Sequence, residues 1–464
     1  TLSGGGNFQS VGLDLNDASS KLLLNSITVD SVSTSEDSLG LDVNETSAIT
    51  SLLVGNITPV AIASGRSLSG GITVTAGSLQ LTEQGTLASA ISMSGGTLAA
   101  EKSLTVSGAL TQSGNITIDV ADTKTLTFST DEIRTESYQL TLAGAGTIAF
   151  PANASGIVVN DAAGLLKLEG TGTLGAAEVT AVSDAGKGLA VNASSTISSL
   201  KVAADTELNV VNGETFSGST EIAADKTLKL SGTGTFGSTI DLEGTLEAGA
   251  NLTVSGLISV AGNSAAVSIP TAGTTLTYSG GALNVGAHTF AIGGAGTFSN
   301  AAGSPLVLDV ADSILDLTGS GTVSGPVKLE NGTLRVSSGT PTISGALTQS
   351  ADVTIDVTTG QTLTYSGASL SLGTNKLTMI GGGTLNNTNA LVLNHGYSLL
   401  SLAGILTIGD VNATAAAIAG KGVQVVSSAT LGTFDLTTGT FGSNLDIAAD
   451  KTLAGQVRLQ SNGE

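Results

Sequence analysis

Residues 107–129 read SGALTQSGNITIDVADTKTLTFS, and residues 344–366 read SGALTQSADVTIDVTTGQTLTYS, nearly the same sentence at an offset of 237. In the first copy Ile116, Ile118, Val120, Leu126 and Phe128 alternate with Thr117, Asp119, Thr125 and Thr127. In the second, Val353, Ile355, Val357, Leu363 and Tyr365 keep the apolar places. Alternation with period two is a strand with one face in a core and the other in water. A pattern kept in phase across two distant copies restricts the chain to folds built by repeating a short strand-bearing unit.

That unit can be measured. TLTYSGG at 275–281 is a partial third copy, and GAGTI at 144–148 matches GAGTF at 294–298 and GGGTL at 381–385. The offsets of 150 and 87 sum to 237. Dividing 150, 87 and 237 by 7, 4 and 11 gives about 21.4, 21.8 and 21.5, within the range of solenoid repeats. VAAD at 202–205 and IAAD at 222–225 are 20 apart, so the unit is elastic. LLKLEG at 165–170 answers LLSLAG at 399–404, and AGKGLAVNASSTI at 185–197 answers AGKGVQVVSSATL at 419–431, both at 234. TEIAADKTL at 220–228 answers LDIAADKTL at 445–453, at 225. Residues 95–228 and 332–453 therefore read as two copies of one block, itself made of smaller rungs.

Short strands separated by Gly, Ser, Asn and Asp suit a chain coiling about one axis with each turn paired to the next. The expected fold is all-β, a parallel β-helix: a single-stranded, right-handed β-solenoid of about 21 rungs, each roughly 20–22 residues. At ~4.8 Å per rung the rod would be on the order of 100 Å long. Composition agrees, because 40% hydrophobic but only 3% aromatic residues fill a thin interior, and 63 glycines supply corners. The alanines of NATAAAIAG at 412–420 are expected to make one or two helical turns in a loop. Residues 1–66 carry the weakest repeat and an acidic patch (Asp30, Glu36, Asp37, Asp42, Glu45), so they read as an N-terminal cap or divergent rungs, with residues 67–464 as the solenoid. AGQVRLQSNGE at 454–464 brings no capping helix, which leaves a fragment or a stack on another copy as the expectations.

GGITVTAGSLQLTEQGTL at 70–87 and SGGTLAAEKSLTVSG at 94–108 resemble the Gly-Gly-Thr/Leu-Thr-Val repeats of bacterial autotransporter passengers and filamentous-haemagglutinin-like surface proteins. The resemblance implies export, an extracellular or cell-surface location, and adhesion or assembly. Its partners would be further copies of the chain, other surface or matrix components, or glycans. The chain departs from the autotransporter pattern in lacking a C-terminal membrane barrel and the tyrosine-bearing form of the repeat.

Charge and motifs narrow the chemistry. A formal charge of −21, from 37 acids against 16 bases, repels phosphate backbones and anionic membranes, so neither nucleic acid nor membrane insertion is expected. No apolar run approaches the ~18–20 residues of a spanning helix. No basic-then-apolar leader precedes Thr1, so a secretion signal is expected to be removed or to lie outside this chain. Cysteine is absent, which removes disulfides and thiolate metal sites and fits export.

GTGTLG at 170–175 and GTGTFG at 232–237 have dinucleotide-fingerprint spacing without a following helix, and the AGKG elements lack the Ser or Thr of a phosphate loop. His288 and His395 match no histidine in another copy. Asp205 and Asp225, one unit apart, would form a like-charge ladder that Ca²⁺ could relieve, although aspartate is also an ordinary turn former. Asp119 and Asp356 read as solvated outward charges. Asp131, Glu132, Arg134 and Glu136 form the densest charged knot, the place to look for paired glycosidase acids, yet the other copies replace it with GALNVGA and GASLSLG. The pairs Thr73/Thr75, Thr125/Thr127, Thr275/Thr277 and Thr362/Thr364 raise an ice-binding face but do not recur in each rung, so they read as outward strand surface. Sequons at Asn56, Asn115, Asn251 and Asn331 follow from abundant Ser and Thr. No catalytic, cofactor-binding or metal residue is assigned. The expected role is mechanical, with a carbohydrate-active β-helix enzyme or tailspike-like protein as the alternative.

Overall fold

A computed structural model describes residues 1–9, 12–404, 406–415, 417–437 and 445–460. The chain is all-β, with no helix among the described residues, and coils as a parallel β-solenoid of about 21 turns. Two compact units divide it, Thr1–Glu221 with Lys226–Ser238 and Ile222–Asp225 with Thr239–Glu464.

In the first unit the register is held by an inward row. Leu140, Leu166, Leu189, Leu208 and Leu230 lie opposite one another on successive coils, none more than 2% exposed. The row persists although coil length varies: Lys21 lies opposite Gly40, 19 residues on, and Gln139 opposite Leu165, 26 residues on. A slip of one residue would turn every leucine into water, at about 1.5–3 kcal/mol each, so surplus residues go into turns instead. Residues 1–66 join the same ladder: Leu24 pairs with Leu2 on one side and Val43 on the other, and Val43 with Ile62. Where coils come closest only glycine fits. Gly70 has φ +117°, and a Cβ there would strike the Ile49 carbonyl.

The second unit repeats this on its own terms. Leu276, Phe298, Val323, Ile343 and Tyr365 form an inward row across five coils, all 2% exposed or less. Leu283–Asn284, Leu306–Leu308, Val327–Leu329 and Leu347–Gln349 build a separate four-stranded sheet. The duplicated sentence folds alike in both units. Ile116–Val120 and Val353–Val357 share one burial alternation, as do Thr125–Phe128 and Thr362–Tyr365.

The helical turns expected at 412–420 are not there. Val411–Ala413 is a strand, 419–420 form a turn, and Ala416 lies outside the described residues. Asn412 has strand partners on both sides, Val392 and Asp435, and these two ladders take Asn412 and Ala413 out of any helix. Residues 461–464, the end of the stretch read as lacking a cap, also lie outside the described residues.

Candidate functional site

Several of the polar side chains singled out by the sequence join one coil to the next. Many strands begin with an N–H that donates to a turn side chain of the preceding coil. Gln139 N–H donates to Asn115 Oδ1 (2.9 Å), Thr275 N–H to Asn251 Oδ1 (2.7 Å), Lys376 N–H to Asp352 Oδ1 (2.6 Å) and Thr227 N–H to Asp205 Oδ1 (2.8 Å). Two sequon asparagines and one of the proposed Ca²⁺ ladder acids thus serve as latches. The sequon asparagines Asn56 and Asn331 instead accept from the N–H of the next residue (3.1 and 2.9 Å). Asp225 and its repeat equivalent Asp450 both sit at φ 60°, the left-handed turn conformation that aspartate tolerates. No cluster of three or more His, Asp or Glu side chains in metal-binding reach occurs among the described residues.

The charged knot is likewise divided. Glu132 Oε1 accepts from Arg134 Nε at 2.7 Å, and Glu136 exchanges two bonds with Asn160 of the next coil, N–H to Oδ1 and Nδ2 to Oε2, both 2.9 Å. The hydrogen bond it donates to Glu132, and then the charge of Glu132, hold the exposed Arg134 above its ordinary pKa. The fingerprint-like glycine motifs lead into strands, Thr173–Val179 and Thr235–Phe236. The first AGKG leads into Gly188–Val191 and the second into Gly422–Val425.

Three features escaped the sequence reading. Threonine recurs much more regularly than its spacing implies: Thr275, Thr297, Thr322, Thr342 and Thr364 stack on five successive coils. Beside this row Thr277 pairs with Ser299. Ser324, Ser344 and Ser366 continue that second row through N–H bonds to Phe298, Val323 and Ile343 (3.0, 2.9 and 2.9 Å). The row was hidden because the coils separating its members differ in length. Outward Thr–Thr neighbours stabilise a sheet by a few tenths to about 1 kcal/mol a pair.

A second feature is the ion pair of buried Asp316, 7% exposed, with the half-buried Arg335 on the next coil (Oδ2 to Nη2, 2.8 Å). Ser337 Oγ donates to the same carboxylate oxygen at 3.0 Å. Asp316 Oδ1 and Arg335 Nε have no partner. The Asp316 hydrogen bond, with the charges of Asp316 and of Asp356 one coil on, raises the Arg335 pKa against the opposing effect of burial. Asp316, Arg335 and Asp356 thus lie opposite one another on three successive coils.

The third is an open depression in the first unit of about 500 Å³, lined by Lys21, Asp42, Asn44, Pro59, Ala61 and Glu83 among others. Its charges are already matched in part, since Lys21 Nζ lies 2.7 Å from Asp42 Oδ2. No family model, curated protein or solved structure matches this chain. Function has to be argued from these contacts alone.

Proposed function

We propose that the chain is a mechanical element of the cell surface or extracellular space: an adhesin shaft, stalk or filament subunit. The observation that carries the reading is the use of polar side chains. Asp205, Asn115, Asn251 and Glu136, four of the acids and amides singled out by the sequence, are bonded to the neighbouring coil. Such bonds resist separation of coils rather than wait for a substrate, and repeated coils with nearest-neighbour contacts are suited to bearing load. Export and surface display, which the repeat resemblance implies, belong to the same proposal.

Single-molecule extension of the full chain tests it. Unfolding should proceed in steps of a coil or a few coils at forces that fall when the latches are cut, as in Asn115→Ala with Asn251→Ala. Release of the whole chain at negligible force would refute a load-bearing role. The rival enzymatic reading has one natural place, the depression holding Asp42 and Glu83. Cleavage of a polysaccharide by the parent chain, abolished by Glu83→Gln, would replace the mechanical reading.

A further inference from the structure

The duplication supplies an internal control for one surface turn. In the first unit residues 160–164 read NDAAG, and in the second the corresponding residues 394–398 read NHGYS. The two turns are bonded alike. Gly164 N–H donates to Asp161 O (3.0 Å) and Ser398 N–H to His395 O (2.9 Å). Asp184 N–H donates to Ala162 O (2.8 Å) and Ile418 N–H to Gly396 O (3.0 Å). Gly188 N–H donates to Gly164 O (3.0 Å) and Gly422 N–H to Ser398 O (2.9 Å). Even the side-chain closure is reproduced: Ala163 N–H donates to Asp161 Oδ1 at 2.9 Å, and Tyr397 N–H to His395 Nδ1 at 3.2 Å.

Ser398, in the place of Gly164, adds a closure of its own by accepting from His395 N–H (3.1 Å) and donating to Gly373 O, but the shared backbone bonds do not demand the other side chains that differ. Asp161 is replaced by His395, Ala163 by Tyr397 and Asp184 by Ile418, while Lys187 is kept as Lys421. Two carboxylates are thereby removed from a chain of net charge −21, and among the described residues Lys421 makes no ion pair. In their place stands a ring pair, His395 and Tyr397, with centroids 5.6 Å apart and planes at 21°. Tyr397 is 51% exposed and Ile418 44%, although the large aromatics elsewhere are mostly buried. Because Nδ1 of His395 accepts a hydrogen bond, its Nε2 carries the proton and is a donor.

We propose that this turn binds an acidic saccharide. The Tyr397 ring offers an apolar platform for the C–H face of a pyranose, and the Lys421 ammonium with the His395 Nε2–H offers donors to its carboxylate. A second copy of the chain fits less well, since an exposed aromatic ring and an ammonium on the adjoining turn, where Lys421 N–H donates to Ile418 O (3.0 Å), match a ring bearing a carboxylate better than a strand surface of threonines. The inference rests on the difference between two turns and stands apart from the mechanical reading.

Polygalacturonate is a direct probe, with dextran as the neutral polymer, against the full chain at about 0.15 M salt, where long-range charge is screened. General repulsion between two polyanions works against adventitious retention. The full chain should bind polygalacturonate and not dextran. Tyr397→Ala should weaken binding about tenfold, as for an aromatic anchor. It should fold, because Ala163 already occupies this place in the first unit. Lys421→Gln should weaken binding and flatten its salt dependence. Failure to bind polygalacturonate, or equal binding by parent and Tyr397→Ala, overturns the proposal. So does self-association that Tyr397→Ala abolishes without any polysaccharide binding, which would assign the turn to a second copy.

Discussion

Asn387 points into the interior and donates from Nδ2 to Asn389 O (3.0 Å) and, on the next coil, to Asp410 O (2.8 Å). Asn300 does the same for Ser304 O (3.1 Å) and Pro326 O (2.8 Å). In both, Oδ1 is buried without a partner against a glycine of the next coil, Gly409 or Gly325. Asn387→Ala would leave Asn389 O without its donor and Asp410 O with only the Leu391 N–H (3.0 Å), so a loss of about 1–3 kcal/mol is expected in chemical denaturation. Neither asparagine was legible as structural, because period-two alternation marks polar side chains as outward and these occupy inward places. The phenols make a separate prediction. Burial raises the pKa of Tyr278 and Tyr365, opposed by backbone N–H bonds from Ile258 and Leu347. An unfolded chain releases those protons first, so their contribution is complete below about pH 10 and is lost as pH rises through the raised values. Tyr278→Phe with Tyr365→Phe should therefore blunt alkaline destabilisation, and Phe128, the counterpart of Tyr365 in the duplicated sentence, shows that phenylalanine fits. An unchanged alkaline limb in pH-dependent melting would count against this account.

At the scale of strands and turns, a latch is worth about one hydrogen bond. Asn251→Ala should cost about 1 kcal/mol and speed hydrogen exchange at the amide of Thr275. Substitution at Ser64, a residue outside the latch set just described, serves as the comparison. Strands were readable because Ile116, Ile118 and Val120 announce their own face, and their repetition announces the register. Turns were not, since the chain length between Gln139 and Leu165 says nothing about which side chain closes the gap. The threonine row was missed for the same reason: Thr297 and Thr322 are 25 apart, Thr322 and Thr342 only 20, and the sheet brings all three into line. Alanines at 412–420 misled because their local preference is small beside two flanking strands.

Across the whole molecule, 37 acids face 16 bases, and most of the ion pairs, such as Arg66–Glu45 and Arg458–Asp435, lie at the surface where each contributes little. Self-repulsion should dominate. Raising salt from about 0.01 to 0.5 M, which shortens the screening length from about 30 Å to a few ångströms, should raise the thermal midpoint. A fall would mean that the surface pairs outweigh the repulsion. The variable coil length carries a last implication. Because alignment is enforced by inward side chains and not by the number of residues between them, a coil can grow at its corner without disturbing its neighbours. Gly213 and Gly360, both at positive φ with open space around them, mark such corners. A foreign peptide spliced into either corner would be displayed at the surface while the coils on each side of it keep their register.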